Sequence, residues 1–103
     1  MADDFVSRLR LDYAPVMLRH LATPDEQSLR SAYELGRRAV GDTIGLLDVV
    51  RVHNEVFLDV HASSRDLPEA DGTARAAAAL LLELVAAYEM TQRGFMENRP
   101  GPR

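Results

Sequence analysis

Residues 73–97 read "TARAAAALLLELVAAYEMTQRGFME", and at 100° per residue this segment is apolar on two sides. Ala77, Leu80, Leu84, Ala87, Tyr88, Thr91 and Phe95 form one stripe. Ala79, Leu82, Ala86 and Met90 form another, flanked by Arg75, Glu89 and Arg93. A helix that is apolar nearly all round must be covered on both sides. In a chain of 103 residues, which supports one modest core, the second cover is expected to come from another molecule.

The remaining segments also carry helical period, with Gly and Pro between them and no sustained alternation of apolar and polar residues. The expected fold is all-α, a small four-helix bundle. The first helix should span about 4–20, burying Phe5, Leu9, Tyr13, Val16 and His20. Pro15 removes a backbone donor and crowds the carbonyl of Leu11, so a kink or break is expected near Tyr13. "TPDE" starts the second helix, with Thr23 as N-cap, Pro24 at the first helical position and Glu26 closing a capping box. Its inner face is Leu29, Ala32, Tyr33, Gly36, Ala39 and Val40. Gly36 there costs up to ~1 kcal/mol of helix propensity, which implies that a neighbouring helix passes too close for a side chain.

Gly41 to Gly45 turns the chain into the third helix, "LLDVVRVHNEVFLDVH", whose apolar stripe of Leu46, Val49, Val50, Val56, Phe57 and Val60 surrounds His53. "ASSRDLPEADGT" reads as the longest irregular segment, with the fourth helix starting near Thr73. Residues 1–97 should form the domain and 98–103, "RPGPR" with the preceding Asn, a linker start or tail.

Apolar residues make up 47% of the chain and charged residues 27%, which is ordinary for a folded globular domain. A net charge of −4 argues against the basic surface that nucleic acid requires. No run approaches the ~20 apolar residues of a membrane span, and the acidic start "MADDFVSRLR" is no signal peptide. With no cysteine, a cytoplasmic location is expected.

Chemistry is equally constrained. There is no Cys nucleophile and no Gly-rich phosphate loop, so the domain is expected to be no enzyme and to bind no cofactor. His53 and His61 stand eight residues apart on one helix, a poor metal chelate. The rival to an interaction module is a histidine phosphotransfer domain using His53. A reactive ring must be exposed, however, and Val49, Val50, Val56 and Phe57 around His53, with Glu55 nearby, favour a hydrogen-bonded core histidine.

"SLRSAYELGRRAV", "DVVRVHNEVF" and "LLELVAAYEM", over about residues 5–95, resemble the N-terminal regulatory domain of RsbU-type stress-response phosphatases, which is grouped with the C-terminal domain of the clock protein KaiA. Glu26 and Leu29, the central His53, and Glu83, Tyr88 and Met90 carry the likeness. The resemblance implies a homodimer that binds a switch-type, RsbT-like protein kinase and passes activation to a phosphatase or kinase output in bacterial partner-switching signalling. It places partner docking on Glu26, Leu82 and Ala86, although Ala86 is smaller than the aliphatic residue usual there. With the two outer stripes, that of the fourth helix and Leu11 with Leu18 one heptad apart on the first, the expected partner or dimer surface is Glu26, Ala79, Leu82, Ala86, Met90, Leu11 and Leu18.

Overall fold

The computed structural model describes residues 2–97 as four helices, α1 (Ala2–Ala22), α2 (Glu26–Gly41), α3 (Leu46–Ala62) and α4 (Leu67–Glu97), with no strand among them. The tail expected at 98–103 lies outside the described residues. α2 and α4 pack most intimately, and α1 touches all three other helices. Leu9, Tyr13 and Met17 of α1, Ala32, Leu35 and Ala39 of α2, Val49, Val52 and Val56 of α3, and Leu80 and Leu84 of α4 interlock as the core.

Two boundaries differ from the sequence reading. The N-cap of α2 is Asp25, not Thr23. Its Oδ1 accepts from the Ser28 amide at 2.8 Å and from the buried Ser28 hydroxyl at 2.7 Å. Glu26 is therefore the first helical residue rather than the reciprocal member of a capping box. The Asp25 carboxylate satisfies the Ser28 amide, whereas a Thr23 hydroxyl would have capped an amide two residues earlier. These bonds, with the Arg19 guanidinium 3.5 Å away, hold the Asp25 carboxyl below its ordinary value of 3.8. Asp25→Ala should lower the thermal midpoint by roughly 4–8 °C at neutral pH. The loss should vanish as pH falls through the depressed folded-state value, because protonation removes the acceptor in the native protein too. An equal midpoint for both proteins at pH 7 would place the cap elsewhere.

α4 begins at Leu67, so most of the segment read as an irregular loop is helix. Asp66 takes the capping position, accepting the Glu69 amide at 2.8 Å on its side chain and the Ala70 amide at 3.0 Å on its carbonyl oxygen. Pro68 within the first turn costs no hydrogen bond, because amides there have no intrahelical partner. Gly72 inside this helix touches nothing that would have excluded a side chain.

α1 continues through Pro15 without a break. Pro15 lies on the exposed side, while Tyr13 and Met17 flanking it are fully buried and hold both halves in one rod. Two expected core positions, Leu46 and Phe95, are exposed, and Tyr33, Val50 and Thr91 are half-buried and outside the core cluster. Met17, Leu35 and Val52, unread as core, are buried instead.

The turn after α2 closes on a threonine. Thr43 adopts φ 57°, its amide bonds to the Val40 carbonyl oxygen, and the Ile44 amide to that of Ala39. This is a Schellman ending in which Thr occupies the left-handed position usually given to Gly. Gly41 and Gly45 have no such φ. Buried Ile44 is fixed from the other side by the Tyr88 hydroxyl, which donates to its carbonyl oxygen at 2.8 Å.

Candidate interaction surface

The α2–α4 packing aims the outer face of α4 at solvent. Gly36 lies against α4 so closely that a Cβ there would stand 2.5 Å from the Leu84 carbonyl oxygen and 3.0 Å from the Ala87 Cβ. With Leu80, Leu84 and Ala87 committed to that contact and to the core, the opposite side of α4 is left largely uncovered by the described residues. Leu82 is 73% and Met90 60% exposed; Ala86 between them is exposed and Ala79 half-buried. Met90 leans toward α2, where the Tyr33 hydroxyl donates to its Sδ at 3.8 Å. Glu26 is exposed at the start of α2, where the helix dipole favours a negative charge.

Leu11 and Leu18 of α1 are also exposed, but they do not join the α4 stripe. They border a separate groove between α1, α3 and the first turns of α4, which reaches α4 only as far as Ala76. The expected surface is thus at least two surfaces. The groove is not legible in the sequence because its α4 wall lies in the segment expected to be irregular. The available signal was "DLPE", an Asp followed three residues later by Glu, at the head of the apolar run.

His53 is 4% exposed, and its Nδ1 shares a 2.7 Å hydrogen bond with the hydroxyl of buried Tyr13. Burial pushes the imidazole below its ordinary 6.5 and the phenol well above its ordinary 10.0. Both groups are therefore neutral at physiological pH. A phosphoacceptor must present a ring nitrogen to its donor protein, and this ring is enclosed with one nitrogen occupied. No group of three or more His, Cys, Asp or Glu suited to a metal ion occurs among the described residues.

Residues 11–91 match the family of the phosphoserine phosphatase RsbU N-terminal domain. The chain belongs to this family. The match takes in all of α2 and α3, most of α1 and α4 as far as Thr91. The RsbU N-terminal domain is the regulatory part of such phosphatases and not the catalytic part. Among curated proteins and solved structures, none matches the chain. No described helix of this RsbU N-terminal domain is long and apolar enough to cross a membrane.

Proposed function

We propose that this domain is a non-catalytic interaction module that pairs with a second copy and receives a switch-type, RsbT-like kinase. Through that contact it controls a downstream serine/threonine phosphatase or kinase output in bacterial stress or sigma-factor signalling, in the cytoplasm. Membership of the RsbU N-terminal domain family supports the regulatory class. The observation that carries the assignment to a surface is the row Leu82, Ala86, Met90, apolar and largely uncovered on the longest helix. Small Ala86 allows a partner's backbone to come close, and Leu82 beside it supplies an aliphatic side chain that a partner's pocket could bury. Glu26 contributes a negative charge at a helix start that suits a basic side chain of the kinase.

Leu82→Asp tests this reading, because the side chain is already in water and the fold should tolerate the change. Light scattering for mass and titration calorimetry with a purified RsbT-like kinase should show at least one association weakened roughly tenfold or more. Helix content by circular dichroism should be unchanged. Wild-type affinity in both assays would remove the outer face of α4 from the proposal.

A further inference from the structure

One narrow strip along α4 carries Leu82 together with four charges. At 100° per residue, Asp71, Arg75, Ala78, Ala86, Glu89 and Arg93 all fall within about 40° of Leu82, and every one of these residues is exposed. The strip runs from residue 71 to residue 93, roughly 33 Å at 1.5 Å per residue. Its charges are paired within the helix: Nε of Arg75 stands 2.9 Å from the Asp71 carboxylate, and a terminal guanidinium nitrogen of Arg93 stands 2.8 Å from the Glu89 carboxylate. The order along the strip is therefore acid, base, apolar centre, acid, base. In the opposite direction it is base, acid, apolar centre, base, acid. A strip of this kind is complementary to itself reversed, as an interface between two identical copies requires.

We propose, on the reading of the Leu82 row as an interaction surface, that a second copy of this chain covers it, with the two α4 helices antiparallel and the two-fold axis at Leu82. Residues equally far before and after Leu82 then stand at the same height. Arg75, seven positions before it, meets the partner's Glu89, seven positions after. Asp71 meets the partner's Arg93, and Ala78 meets the partner's Ala86, by the same rule. The two-fold repeats each contact. Small Ala pairs on either side let the backbones approach, and the two Leu82 side chains bury one another at the centre. The pairs within each helix survive, because a carboxylate has about four acceptor sites and a guanidinium five donors. Parallel pairing in register would instead set all four charges against their own kind. Exposed ion pairs add little affinity, with a median of about 0–1 in kcal/mol, so the charges act on direction while the apolar centre supplies strength.

The chain has no cysteine, so single cysteines report the register. Ala78→Cys and Ala86→Cys, both at exposed positions, are oxidised with copper phenanthroline separately and as a mixture. In the antiparallel pair, two copies of either position lie roughly 12 Å apart along the helix axis, beyond disulfide reach. Each variant alone should therefore stay uncrosslinked, and the mixture should give a linked dimer on non-reducing electrophoresis. Arg75→Glu and Glu89→Arg should each weaken self-association about tenfold by light scattering, since each reverses two contacts. Mixing these two variants should restore it, because both contacts are then complementary again. The antiparallel pair is overturned if either cysteine variant crosslinks with itself, if mixing the charge variants restores nothing, or if wild type keeps the mass of one chain at every concentration. Should Leu82→Asp then still weaken binding of an RsbT-like kinase, the row receives the kinase and only the pairing falls. Should Leu82→Asp weaken neither association, the surface itself falls with it.

Discussion

Gly36→Val should destabilise the domain by about 3 kcal/mol, or roughly 12–24 °C of melting midpoint. The atoms that a Cβ would strike, the Leu84 carbonyl oxygen at 2.5 Å and the Ala87 Cβ at 3.0 Å, belong to backbone and to the root of a side chain. Neither can rotate away, so α2 and α4 must part, and this is the most intimate helix pair in the fold. Even Gly36→Ala, which gains up to ~1 kcal/mol of helix propensity, should come out less stable than wild type. Gly72→Ala is the control, because a Cβ there meets nothing, and the propensity gain should appear as a neutral or raised midpoint. Urea unfolding of the three variants decides the matter. A Gly36→Ala protein as stable as wild type would show that the helices do not approach as described.

Tyr13→Phe should cost about 1–3 kcal/mol, although it removes one oxygen and leaves the ring in place. The loss falls on the partner, since Nδ1 of His53 would remain buried with nothing to bond. Replacing His53 by Leu in the Tyr13→Phe background should recover part of the loss, a coupling that a double-mutant cycle measures directly. Additive effects would mean that the two groups do not share a bond. The same enclosure makes stability pH-dependent. Burial lowers the folded-state pKa of His53 below the 6.5 of the unfolded chain, so on acidification the unfolded chain takes up the proton first. Stability should be full above about pH 6.5 and decline as pH falls toward the depressed folded-state value. His53→Gln should flatten that slope between pH 7.5 and 5, a range above the titration of Asp25. Identical slopes in variant and wild type would count against an enclosed imidazole.

The errors in reading the sequence share a cause. Thr23 and Asp25 are both good caps, and which one starts α2 depends on the buried Ser28 hydroxyl, which bonds to Asp25 and has no periodicity to announce it. The expectation of a late α4 start rests on the small, polar and turn-forming residues of "ASSRDLPEADGT", Pro68 and Gly72 among them. In the structure Pro68 falls in the first turn, where it is harmless, and Gly72 is simply carried by the helix. Phe95 continues an apolar period but stands exposed near the end of α4.

What sequence alone determined was helical class, four segments, a close approach at Gly36 and an α4 with more apolar surface than one core takes up. These follow from periodicity and side-chain size, which act over one or two turns. The tertiary structure decided the rest: that Leu11 and Leu18 border a groove apart from the Leu82 stripe, that His53 is closed off by Tyr13, and that Nδ1 of His20 lies buried without a partner among the described residues. Each depends on which atoms of different helices meet, and contacts between residues tens of positions apart leave no repeat along the chain.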